Sequence, residues 1–95
     1  MIVRIVRMTF REDSINDFLE LFGEIKMHIA SVDGCLVLEL LSDIHHPNVF
    51  TTYSHWENED KLNRYRDSEL FGDVWPKTKK MFAEKPVAHS YRIQR

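Results

Sequence analysis

Residues that crosslink or interrupt a chain are scarce here: one cysteine (Cys35), three glycines and three prolines in 95 residues. A lone cysteine excludes an intrachain disulfide and makes the reducing cytoplasm the expected compartment. So few glycines and prolines exclude a fibrous or low-complexity chain, and no repeat or linker is visible. Neither sign of charge dominates, with 13 basic against 15 acidic residues, a net charge of −2 and a pI near 6.2. That balance gives no global pull toward nucleic acid or an anionic membrane, and neither is expected as a partner. The basic residues do lean C-terminal (Lys77, Lys79, Lys80, Lys85, Arg92, Arg95), as a solvated helix face would. Long hydrophobic runs are also missing. Arg4 and Arg7 interrupt the N-terminal apolar stretch, and nothing approaches the ~18 apolar residues of a membrane span. There is no Ser-His-Asp pattern, phosphate-cradling glycine loop or nucleotide fingerprint, which weighs against hydrolase, kinase and dehydrogenase chemistry.

What remains is an ordinary globular composition, 43% hydrophobic and 29% charged. Its length suits one domain, residues 1–95. A chain this short buries only about 60–65% of its unfolded surface, so it gains from a partner subunit.

Residues 2–10, IVRIVRMTF, read as a strand with apolar residues on both parities. Ser14, with Asp17 three residues on, is a capping-box variant opening a helix. That helix carries one apolar stripe of Ile15, Phe18, Leu19, Phe22, Ile25, Ile29 and Val32. Asp33-Gly34 ends it, with glycine expected in the left-handed C′ position. CLVLELL, residues 35–41, is a second strand apolar on both sides, and VFTTYSHW, residues 49–56, a third. Asn58 can cap a second helix, with Glu59 and Asp60 favoured in its first turn. Gly72 and Pro76 predict a break near Asp73–Trp75, then a short helical segment from Pro76 to about Ala83. A last strand, VAHSYRIQ, puts Val87, His89, Tyr91 and Ile93 on one face.

The order β-α-β-β-α-β predicts an α+β, ferredoxin-like fold: a four-stranded antiparallel sheet with helices on one face. Two helices leave the other face bare although strands one and two are apolar there as well. A homodimer joined through the open sheet face, the two sheets forming a barrel-like core, resolves the conflict.

The most informative segment is FTTYSHWENEDKLNRYRDSELF, residues 50–71, where a strand runs almost directly into a helix. It mounts Tyr53, Trp56, Tyr65 and an ionisable His55 on two rigid elements, as a small-molecule pocket requires. Within it, W-x-N-E-x-x-L-x-x-Y-x-x-S-x-x-F, residues 56–71, resembles the antibiotic biosynthesis monooxygenase family of dimeric α+β-barrel proteins. DGC, residues 33–35, and FxxY, residues 50–53, extend the match across the chain. The resemblance implies a cofactor-independent monooxygenase acting on a quinol, phenolic or polyketide-like aromatic. The alternative is a noncatalytic dimeric small-molecule-binding module of the same fold. Two departures matter. Tyr65 stands where the family often has histidine. The asparagine and histidine of haem-degrading members are missing, with Tyr65 and Trp75 at the helix Trp and His positions, which disfavours haem degradation.

Each candidate has a functional and a packing reading. His55 is the most plausible acid–base group, able to take a proton from a phenol or quinol near neutral pH, or else a satisfied interface residue. Tyr65 can offer a phenol to a substrate carbonyl or phenolate, or pack with its hydroxyl at the rim. Trp56, Tyr53 and Trp75 are candidate substrate walls or core anchors. Arg4 either holds an anionic substrate or joins a salt bridge, as Arg7 also can, with Glu39 the available partner. His45 and His46 lack a third ligand, so no metal is expected. Cys35 reads as a small apolar packing residue.

Overall fold

The computed structural model describes residues 1–95. Strand β1 (Ile2–Thr9) leads through a 3-10 turn (Glu12–Ser14) into helix α1 (Ile15–Ala30). Strands β2 (Cys35–Ser42) and β3 (Val49–Trp56) follow, then α2 (Glu59–Arg66), α3 (Glu69–Lys79) and β4 (Val87–Arg92). The strands form one antiparallel sheet in the order β2-β3-β1-β4. This is the α+β ferredoxin-like architecture, with the second helical region divided into α2 and α3.

Strand register sorts the side chains. Ile2 pairs with Trp56 and Met8 with Phe50. Because successive residues alternate across a strand, Ile2, Arg4, Val6 and Met8 share the helix-side face with Trp56, Ser54, Thr52 and Phe50. Val3, Ile5 and Arg7 share the opposite face with His55, Tyr53 and Thr51. On β4 the partners of that second set are Tyr91, His89 and Val87. The register of β2 shifts between Cys35 and Val37, so Cys35 pairs with Trp56 while Val37 pairs with His55.

Two clusters fill the helix side. Met8, Phe10, Phe18, Phe22 and Phe50 pack together, with Phe10 stacked on Phe18 at 4.1 Å. Ile2, Trp56 and Leu62 form the second, joined by Val32, Cys35 and Tyr65. Each such side chain contributes roughly 1.5–3 kcal/mol on burial, so the apolar stripe of α1 is what holds it to the sheet.

Several local expectations require correction. Ser14 makes no side-chain cap to α1, because the preceding 3-10 turn already gives it helical backbone angles; its hydroxyl instead meets Arg11 and Asp13. Asn58 does cap α2, accepting from Lys61 N at 2.9 Å. The helical break falls at Asp67–Ser68 rather than Asp73–Trp75, since Ser68 caps a new helix by accepting from Phe71 N. Pro76 is accommodated inside the last turns of α3, which ends at Lys79. Met81 and Phe82 do pack inward, but beyond the helix: Met81 lies in the turn that ends it and Phe82 bridges to Phe10. Strand β2 is an edge strand covered on one side, which leaves Leu41 44% exposed.

Gly34 has φ +91°, and α1 ends earlier, at Ala30, so this glycine serves the turn into β2 instead of the helix C′ position. Its carbonyl accepts from Glu57 N at 2.8 Å. A Cβ there would collide with the Cβ and Cγ of Lys61, whose ammonium pairs with Asp33. Gly34→Ala therefore combines backbone strain with a clash and is expected to destabilise the fold by about 1–3 kcal/mol. A urea midpoint unchanged from the parent protein would contradict this.

Candidate functional site

The α1 stripe and the α2–α3 pair do not close completely onto the sheet. Between them lies a cavity of about 300 Å³, at the small end of the range that holds organic ligands. Its floor is the helix-side face of the sheet, Arg4, Val6 and Met8 from β1, Thr52, Ser54 and Trp56 from β3, with Leu38 and Ala88 at the flanks. Phe18, Phe22, Ile25 and Ile29 of α1 form one wall; Leu62, Tyr65, Arg66, Phe71, Val74 and Trp75 form the other.

Aromatic contacts make the second wall continuous. Tyr65 stacks on Trp56 at 5.0 Å and 23°, and meets Phe71 edge-on at 5.3 Å. Phe71 stacks on Trp75 at 5.5 Å and 14°, and Trp75 meets Phe82 at 5.7 Å. The helical break at Asp67–Ser68 produces this arc: it turns α3 so that Phe71 meets the ring of Tyr65 and Trp75, one turn on, stacks on Phe71.

The polar groups are few and mostly committed. Trp56 Nε1 donates to Ser54 Oγ at 3.0 Å, and Ser54 Oγ donates to the Arg4 carbonyl at 3.4 Å. The Arg4 guanidinium donates to Ser90 Oγ at 3.0 Å. Burial, and then the neighbouring Arg66 guanidinium, push Arg4 down from its ordinary value, yet arginine stays charged at any physiological pH. Arg66 donates to Asn63 Oδ1 at 2.8 Å. The three ion pairs in the structure, Arg11–Asp13, Lys61–Asp33 and Lys77–Asp73, include neither cavity arginine. The Tyr65 hydroxyl has no hydrogen-bond partner in the chain, and burial pushes its phenol up to about 12, with Cys35 adding to the effect. At neutral pH Tyr65 is a hydrogen-bond donor rather than a base.

Of the six residues singled out from the sequence, Arg4, Trp56, Tyr65 and Trp75 line this cavity. His55 and Tyr53 do not. They lie on the other face of the sheet, where His55 Nε2 and Tyr53 Oη are 2.7 Å apart. The sheet therefore separates His55 from Tyr65 within one chain, and the two cannot meet one substrate there. The parity that groups Tyr53 with His55 and against Trp56 is visible in the strand; which face the helices cover is not. Glu39 shares the open face with Tyr53, so Arg4 cannot reach it, and Arg7 is not ion-paired to it. Asp43 Oδ2 accepts from the backbone N–H groups of His45 and His46, both at 2.9 Å, which makes that segment a carboxylate-capped turn. Sequence reasoning missed Arg66. The signal was Ser68, a helix cap that ends α2 just after Arg66 and leaves this residue at the cavity rim.

The sequence model of the family described as Antibiotic biosynthesis monooxygenase matches residues 1–75. The chain belongs to that family. No curated protein sequence matches it. Among solved structures, one called antibiotic biosynthesis monooxygenase superposes with TM-score 0.94 at 18% identity, covering 100% of both chains. A conserved protein from Methanosarcina mazei Go1 gives 0.92 at 17%, covering 99% of this chain and 94% of its own. Rv0793 from Mycobacterium tuberculosis gives 0.91 at 13%, covering 99% and 95%. At these identities the agreement is one of fold. The match to the antibiotic biosynthesis monooxygenase family includes β1, β3, α2 and most of α3, the elements that carry Arg4, Trp56, Tyr65 and Trp75. No helix of the chain is long and apolar enough to cross a membrane.

The raised phenol has a consequence for stability. Its folded-state value of about 12 lies above the ordinary 10, so the neutral form is the one the fold favours. The stability this preference contributes is fully present below pH 10 and is lost as pH rises toward 12, because the unfolded chain loses that proton first. A tenfold difference in proton affinity between folded and unfolded chains is worth ~1.4 kcal/mol, so Tyr65 accounts for a loss of up to about 2–3 kcal/mol across that window. Denaturant titrations between pH 9 and 12 should show a shallower decline for Tyr65→Phe. Parallel curves for the two proteins would remove the assignment.

Proposed function

We propose that the cavity binds an electron-rich aromatic molecule, a quinol or a phenolic polyketide-like compound, and oxygenates it with dioxygen and no cofactor. The observation that carries this reading is the cavity itself: in a member of this family, a small chamber with aromatic walls, Tyr65 as an unengaged donor, and two arginines. No imidazole or carboxylate lines it, so the substrate enters as its own anion or loses its proton to water. Tyr65 then donates to the ring oxygen, stabilising negative charge in a dry site, where such donors act most strongly. The anion passes an electron to dioxygen, and the two radicals combine at the activated carbon. Loss of water from the resulting hydroperoxide leaves a carbonyl, so that a ring CH₂ and one O₂ become C=O and H₂O. Trp56 and Trp75 serve to orient the ring and exclude water.

A second reading is a noncatalytic binding module, and the missing proton acceptor favours it. Both readings include a homodimer through the open sheet face. Support comes from the apolar residues exposed there, Leu41, Val87 and Tyr91 at 44%, 48% and 51%, on a surface the helices leave uncovered. The Tyr53–His55 pair lies on that same face, and its role on this reading is at the subunit contact.

An oxygen electrode with a panel of hydroquinones and anthrone-like phenols tests catalysis. Protein-dependent uptake should rise with pH along each substrate's own ionisation, and Tyr65→Phe should reduce kcat/KM roughly 10- to 150-fold, the scale of one hydrogen bond to a charged partner, about 1.5–3 kcal/mol. Ligands that raise the melting temperature without any uptake would leave only the binding module. For assembly, light scattering should give about twice the 11.4 kDa chain mass. A concentration-independent mass of one chain would refute the dimer.

A further inference from the structure

Two guanidinium groups, of Arg4 and Arg66, line an apolar cavity with no acidic residue on its walls. Arg4 projects from the central strand β1, between Ser54 of β3 and Ser90 of β4. Arg66 closes α2 beside Tyr65, and its charge is felt by Arg4. Each has one neutral oxygen as partner, Ser90 Oγ at 3.0 Å and Asn63 Oδ1 at 2.8 Å, and neither has a carboxylate within ion-pair distance. A half-buried cation facing a like charge is costly unless an anion joins it. The planar fork of arginine suits a carboxylate, which it grips through two parallel N–H···O bonds.

We propose that the ligand of this cavity is an aromatic acid, its ring held among Trp56, Tyr65 and Trp75 and its carboxylate bound by Arg4, with Arg66 at the rim. This rests on reading the cavity as the binding site and goes beyond it by fixing the ligand's second functional group. The carboxylate is a handle and takes no part in oxidation. It orients the ring against the aromatic arc and selects acids over neutral rings of the same shape, because a neutral ring leaves both cations unpaired.

The test uses two inert probes of equal shape, 2-naphthoate and 2-naphthamide, neither of which can reduce dioxygen. Calorimetric titration should show the acid binding at least tenfold more tightly at moderate salt. Arg4→Gln should abolish that preference while holding naphthamide affinity within about twofold, and Arg4→Lys should restore only part of it. Far-UV circular dichroism and melting report whether Arg4→Gln is folded. If it is not, Arg66→Gln at the exposed rim replaces it and should cut the preference several-fold. Equal affinity of the intact protein for the two probes, or a preference that survives Arg4→Gln, overturns the proposal while leaving the cavity as a binding site. Binding of neither probe overturns the proposal and the binding-site reading together.

Discussion

The burial of Trp56 at the end of β3 is the constraint from which the rest of the architecture follows. Its indole is 1% exposed, and three ties hold it: the ladder to Ile2, the bond from Nε1 to Ser54 Oγ, and the stack of Tyr65. Asn58 caps α2 only two residues later, so the helix begins before the chain can wander. Its direction is set by where the indole already lies. An indole buried without a partner for its N–H would cost roughly 1–3 kcal/mol, and Ser54 on the same strand face removes that cost. The ring is thus fixed in rotation as well as position, and Tyr65 inherits a flat surface against which its own ring is held.

From that corner the aromatic arc extends outward. Tyr65, Phe71, Trp75 and Phe82 touch in sequence, and Phe82 reaches Phe10 at 5.3 Å in the main cluster. Rings in such edge-on and offset contacts resist compression because each fills a neighbour's gap. The space between the arc and α1 therefore stays open because the walls are stiff. Ser68 matters as much as any ring, since its cap allows α3 to depart from the axis of α2 while all the rings remain on one side.

Much of this could be read from the residues. Element order, strand ends, the Asn58 cap and the alternation of β4 all follow from local rules, and the family motif over residues 56–71 carries the fold. The failures share a cause. Ser68 and Pro76 both signal the end of a helix, and propensity alone gives proline the greater weight; Ser68 prevails because its hydroxyl satisfies the Phe71 N–H. His55 and Tyr53 are equally instructive. Strand parity pairs them correctly, but which face of the sheet the helices cover depends on contacts between elements far apart in sequence. Arg66 is easily passed over for the same reason: a charged residue at a helix end looks solvated until the facing strand is known, and only the Ser68 cap hints otherwise.

The division of chemistry between the two sheet faces bears on what the site can do. The imidazole lies on one side and the unengaged phenol on the other, with Tyr65 held in its neutral form by burial. A general base needs a pKa near the working pH and a path to the proton, and no group on the cavity wall meets both conditions. What the wall does possess is positive charge and an O–H donor in an apolar setting, a combination that stabilises an anion without accepting its proton. An environment of that kind lowers the pKa of a bound phenol or acid by favouring its charged form. Catalysis on these walls would come from electrostatics and exclusion of water, and the substrate would have to supply its own acidity.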